Sequence, residues 1–118
     1  MKRTLSGLAL ALAALSPFLA SAAGADAALV KRGEYLARAA DCMACHTAEG
    51  GAPFAGGLPI QSPFGTIYGT NITPDKEHGI GAYSADEFFA ALTEGKRKDG
   101  AYLYPAMPYT SYHLIERE

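Results

Sequence analysis

The chain has 118 residues, with ten lysines and arginines against twelve aspartates and glutamates, and a formal charge of −2 when the histidines are neutral. That length suits one domain, and the acidic balance argues against a nucleic-acid partner and against a polybasic membrane contact. Two cysteines and three scattered histidines also make a poor set for a four-ligand structural zinc site.

In chain order, Met1-Lys2-Arg3 precedes an apolar, Ala/Leu-rich run from Leu5 to Ala20, and the small residues Ser21-Ala22-Ala23-Gly24-Ala25 follow. A charged start, a short apolar core and a small-residue exit predict a secretory signal peptide, cleaved after Ala22 or Ala23. The competing reading is a transmembrane anchor; Pro17 and the short apolar core favour cleavage. Residues 1–23 are thus expected to be a leader and 24–118 the mature domain, more negative once Lys2 and Arg3 are removed. No later stretch is long and apolar enough to span a bilayer.

A helix is expected from Ala25 to Thr47, with Asp26 as N-cap and with Leu29, Leu36 and Ala40 on one broad face. Gly33 costs about 1 kcal/mol against alanine in a helix interior, which close approach of a second helix beside Tyr35 would justify. At its end this helix carries Cys42-Met43-Ala44-Cys45-His46, with the only two cysteines of the chain. A C-x-x-C-H run reads as a c-type haem attachment site. The spacing sets both thiols about one helical turn apart for thioether bonds, and the adjacent His46 is placed to bind iron from the proximal side. The alternatives are a disulfide between the two thiols and a thioredoxin-like pair, which needs a βαβ context that is not visible. The immediate histidine and the export signal agree on haem.

Glu49 to Gly65 is rich in Gly, Pro and Ala and is expected to loop around the edge of such a ring, with Phe54, Leu58, Ile60 and Phe64 as apolar walls. A carbonyl of this loop, with Pro53 the named candidate, is expected to accept a hydrogen bond from the second nitrogen of His46. Gly65 to Ile72 reads as briefly extended, Thr73-Pro74-Asp75 as a turn, and His78 as an exposed loop residue rather than a ligand. Ser84-Ala85-Asp86-Glu87 is a capping box opening a helix from Ala85 to Glu94, with Gly95 as its C-cap. Lys96-Arg97-Lys98, followed by Asp99, reads as a solvated loop, with docking to an acidic redox partner as the sharper alternative. In Tyr104-Pro105-Ala106-Met107-Pro108-Tyr109, two prolines hold Met107 in a stiff, non-helical segment. Its soft thioether suits a low-spin haem iron, so Met107 is the expected distal ligand, with His113 as the rival that would give a lower potential.

With these residues placed, the chain resembles the first haem domain of the multihaem cytochrome c subunits of bacterial membrane-bound alcohol, gluconate and aldehyde dehydrogenases. The resemblance rests on Gly33-Glu34-Tyr35-Leu36-Ala37, Asp41 to Thr47, Phe64 to Tyr68, Asn71-Ile72-Thr73-Pro74-Asp75, Gly79-Ile80-Gly81, Glu87-Phe88, Ala91-Leu92 and Leu103 to Tyr109. It implies an all-α, class I cytochrome c-like fold with long loops and one covalent haem c held by Cys42 and Cys45, with His46 and Met107 on the iron. It also implies a periplasmic, non-catalytic electron-transfer role at the inner membrane. Electrons would come from a dehydrogenase subunit and leave toward ubiquinone, a terminal oxidase or another cytochrome. Two departures are expected to matter. Only one C-x-x-C-H is present, and His113 to Glu118 allows one helical turn at most where such domains have a C-terminal helix. A truncated product is therefore expected. A haem sensor or peroxidase-like protein with an open distal site, or a non-functional remnant, is the alternative.

Overall fold

The computed structural model describes residues 16–117, with side chains from Asp26 onward. Residues 1–15, most of the expected leader, lie outside the described residues. The chain divides into two units, 1–40 and 41–118.

The described part of the first unit is one helix, α1 (Ser16–Ala39). It starts well before the expected Ala25, so Asp26 lies in its interior and is not an N-cap. The alanines from Ala20 to Ala28 are strong helix formers, and each propagates the helix at little entropic cost. Arg38 pairs with Glu34 at 3.0 Å, one turn away. Leu29, Val30, Tyr35 and Leu36 are exposed. Among the described residues, a Cβ added at Gly33 would meet nothing within 4 Å. No helix of the described residues is long and apolar enough to cross a membrane.

The expected continuous helix to Thr47 is broken. Asp41 adopts a left-handed conformation, φ 53° and ψ 33°, and a separate short helix α2 (Cys42–His46) begins after it. Aspartate is one of the few non-glycine residues that visits this region readily, so the break falls where the side chain allows it.

The second unit is not purely helical, so the all-α expectation is not confirmed. Within the expected loop, Pro59 to Ser62 forms β1, paired antiparallel with β2 (Gly65–Tyr68). Ile60 stands opposite Ile67, and both are half-buried while their strand neighbours face solvent. That alternation is what a one-sided hairpin requires. Ser62 closes the turn, its hydroxyl donating to the Gly65 carbonyl and accepting from the Phe64 amide. Phe64 at the tip is 90% exposed.

Helix α3 (Ala85–Glu94) has the expected capping box: Ser84 Oγ accepts from the Glu87 amide at 3.1 Å, and Glu87 Oε2 accepts from the Ser84 amide at 2.7 Å. Gly95 is its left-handed C-cap. After a tight loop, residues 101–108 return along α3 to a single helical turn, α4 (Tyr109–Tyr112), which packs on α3. That turn lies before the tail from His113, which was expected to allow one helical turn at most. Of the described residues, only Gly56, Thr93 and Gly95 are buried, and no apolar side chain is.

Candidate haem-binding site

Helix α2 presents Cys42, Cys45 and His46 within little more than one turn, because its break from α1 starts a fresh helix at the first cysteine. Both cysteines are free thiols, Cys42 half-buried and Cys45 exposed. Burial, followed by the charges of Asp41 and Cys45, pushes the Cys42 thiol above its ordinary pKa against an opposing backbone hydrogen bond. At neutral pH Cys42 is therefore a protonated thiol rather than a thiolate.

The hairpin delivers the partner of His46. Its ladder runs on beyond the strands, with the Gly57 amide donating to Gly69 at 2.8 Å and the Gly69 amide donating to Leu58 at 2.9 Å. The next carbonyl, that of Thr70, lies 2.7 Å from His46 Nδ1. A carbonyl can only accept, so Nδ1 carries the proton and Nε2 keeps its lone pair for a metal. The expected acceptor was a carbonyl of the 49–65 loop, Pro53 by name. Thr70 holds the position instead, because the antiparallel ladder, continued through Gly57, Leu58 and Gly69, carries the residue after Gly69 to the imidazole.

That approach is close. A Cβ at Gly69 would lie 1.9 Å from the Cys45 carbonyl oxygen, so only glycine fits while the ladder stays where it is. Further bonds tie the 47–57 segment to the same place: Gly56 donates to the His46 carbonyl at 2.8 Å and Ala48 to Gly56 at 3.1 Å. Asn71 Oδ1 accepts from both the amide and the hydroxyl of Thr73, and Ile80 donates to the Thr73 carbonyl at 2.9 Å. Asn71 to Asp75 is thus a side-chain-locked bend that steadies the strand carrying Thr70.

Met107 is half-buried and lies on a different segment, between two turns. Its amide donates to Tyr104 at 3.0 Å and its carbonyl accepts from Tyr109 at 2.8 Å. The structure brings the thiols and His46 together on α2 and presents Met107 separately. The link back is Tyr112, four residues beyond Pro108. Its phenol is raised in pKa by burial and then by Cys42, Cys45 and Asp41, so it stands within electrostatic reach of the C-x-x-C pair. His113 is exposed, and its Nδ1 is bonded to the Thr110 carbonyl. His78 is also exposed, 3.5 Å from Asp75 Oδ1. In the basic cluster, Arg97 pairs with Asp99 at 2.9 Å and Lys98 with Glu87 at 3.3 Å, which suits a solvated loop better than a cationic docking face.

Thr70 and Tyr112 were both missed in the sequence. A backbone carbonyl has no residue signature, and Tyr112 is one of seven tyrosines, distinguished only by where α4 puts it.

The donor set fits a c-type haem. Two thiols on one helical turn and an imidazole oriented through Nδ1 suit a covalently held haem better than a bare ion. Among the described residues, no group of three or more His, Cys, Asp or Glu side chains could hold a metal. No protein-family model matches the chain. Compared with individual proteins, it is 62% identical over 104 residues to the cytochrome c subunit of a quinone alcohol dehydrogenase of Gluconobacter oxydans, covering 88% of this chain and 22% of that protein. It is 60% identical over 111 residues to the gluconate 2-dehydrogenase cytochrome c subunit of Pantoea cypripedii, covering 94% of this chain and 25% of that one. The chain is a homologue of dehydrogenase cytochrome c subunits. A fructose dehydrogenase cytochrome subunit of Gluconobacter japonicus is 57% identical over 90 residues, covering 75% of this chain and 18% of that protein. The chain spans 22% to 25% of the length of the first two relatives. Kinship with cytochromes c implies covalent haem c, and the one C-x-x-C-H of the chain lies on α2.

Proposed function

We propose that this chain is an exported, class I cytochrome c-like electron-transfer module carrying one haem c. The carrying observation is the Thr70 carbonyl on His46 Nδ1 at 2.7 Å, on the same short helix as both thiols. Cys42 and Cys45 would hold the group through thioether sulfurs, His46 Nε2 would bind the iron on one side, and the Met107 sulfur would bind it on the other. When bound, the haem supplies a one-electron iron couple whose potential a thioether ligand raises. The chain's own part would be to supply both iron ligands, His46 and Met107. Thr70 keeps the imidazole oriented and its Nε2 basic, and the two turns around Met107 keep its sulfur in one place. With both positions filled, the reading is electron transfer rather than chemistry on a small molecule.

Residues 1–23 act as the leader in this reading, and 24–118 as a periplasmic domain beside the inner membrane. A dehydrogenase subunit is the electron donor, in keeping with the names of the relatives. The acceptor is ubiquinone, a terminal oxidase or another cytochrome. The test is the matured holoprotein, whose oxidised form should show a sulfur-to-iron charge-transfer band. Met107→Ala should lose that band and keep the c-type α-band of the reduced form. An unchanged band would sink the ligand assignment, and rapid, complete carbon monoxide binding to the reduced wild type would favour an open-site sensor instead.

A further inference from the structure

Both ends of the segment that carries Met107 are pinned to a single residue, Gly95. Its carbonyl accepts from the Leu103 amide at 2.7 Å. Its Cα lies under the ring of Tyr109, where an added Cβ would stand 2.7 Å from Cδ1 and Cε1 and 2.9 Å from Cγ. Gly95 is buried and left-handed, φ 67°, as the C-cap of α3, so neither its conformation nor its space admits a side chain.

Between those two anchors there is little slack. The Met107 amide closes a turn onto Tyr104 with Pro105 inside it. On the other side, Pro108 sits at φ −80° and ψ 45°, and the Tyr109 amide donates to the Met107 carbonyl across it. That is an inverse γ-turn, whose proline allows little torsional play. A displacement of the Tyr109 ring therefore passes through one stiff residue to Met107.

We propose that Gly95 and Tyr109 are positioning residues for Met107: the aromatic ring seated on the glycine sets where the thioether stands and resists its displacement. The proposal rests on Met107 being an iron ligand. The ring, not the hydroxyl, fills the seat. Loosening the seat raises the fraction of molecules in which the sulfur is withdrawn, and a competing ligand gains apparent affinity in proportion.

Imidazole titration of the oxidised, haem-loaded full chain tests this, followed by loss of the sulfur-to-iron band. Tyr109→Ala and Gly95→Ala should each bind imidazole about tenfold more tightly than wild type, with the reduced α-band unchanged, while Tyr109→Phe should match wild type. Imidazole affinities of both variants within about twofold of wild type, beside a Met107→Ala variant that binds it more tightly, would overturn the positioning role and leave the ligand assignment standing. If Met107→Ala itself binds imidazole as wild type does, the ligand assignment fails and this proposal with it. Should Tyr109→Ala not accumulate as holoprotein, Tyr109→Leu, which keeps apolar bulk without a flat ring, decides by the same titration.

Discussion

The His46 region and the Met107 region hold their candidate ligands by different means. Around His46 most of the long-range bonds are main-chain to main-chain: Gly56 to His46, Ala48 to Gly56, Gly57 to Gly69 and Gly69 to Leu58, with the Thr70 carbonyl reaching the imidazole and the Thr47 and Asn71 side chains holding the flanking bends. Around Met107 the backbone makes only local turns, and the long-range ties are a ring on a glycine, one amide, and Arg117, which pairs with Asp86 and lies 5.4 Å over the Phe89 ring. An exposed ion pair of that sort contributes about 0–1 kcal/mol. The contrast teaches that the imidazole position rests mainly on backbone bonds and is intolerant of any bulk at its glycine contact. The thioether position depends on a few side chains and is the softer of the two.

The sharpest way to break that contrast is Gly69→Ala. Its Cβ would fall 1.9 Å from the Cys45 carbonyl oxygen, and moving either strand would disturb the Thr70 bond. We expect a loss on the order of 3 kcal/mol, a large share of the 5–15 kcal/mol margin typical of a domain, seen as reduced holoprotein yield and a lower Tm. A variant that melts with wild type would show that the His46 region is as yielding as the Met107 region. A smaller effect is expected from Ser84→Ala, which removes the cap of the helix whose far end is Gly95. About 1 kcal/mol should be lost in denaturant unfolding, and a null result would mean that α3 is held by its packing alone.

The smallest effect concerns Glu87. Its carboxylate accepts from the Ser84 amide and pairs with Lys98, and these hold its pKa below the usual 4.5, the amide foremost. A depressed folded-state pKa means that the unfolded chain takes up this proton first. The contribution is therefore present above the unfolded value and is lost as pH falls through it toward the folded one. Glu87→Gln should accordingly lower the Tm at neutral pH and flatten its decline in acid, measured from about pH 6 to about pH 3. A decline as steep as in wild type would exclude Glu87 as its source.

How much of this was legible beforehand varied with the range of the interaction. The capping box of α3 and the glycine after it were legible because both partners lie within four residues. The thiols and His46 were legible for the same reason. The extended run from Gly65 showed in its β-branched residues, whereas β1 was hidden in a Gly/Pro-rich stretch that becomes a strand only when Ile60 meets Ile67. The helix start at Asp26 failed because a favourable cap does not stop an alanine-rich helix from continuing backward past it.

By itself the sequence determined the chemistry available to this chain: two thiols and an imidazole at fixed spacing, one methionine between prolines, and a self-capped helix. These are covalent and local facts, complete within a turn or two of chain. Only the tertiary structure decided which carbonyl orients His46 and which residue anchors Met107. Thr70 and Gly95 act through backbone atoms and empty space, common to any residue or to any glycine, and they acquire a role only when distant segments are brought into contact.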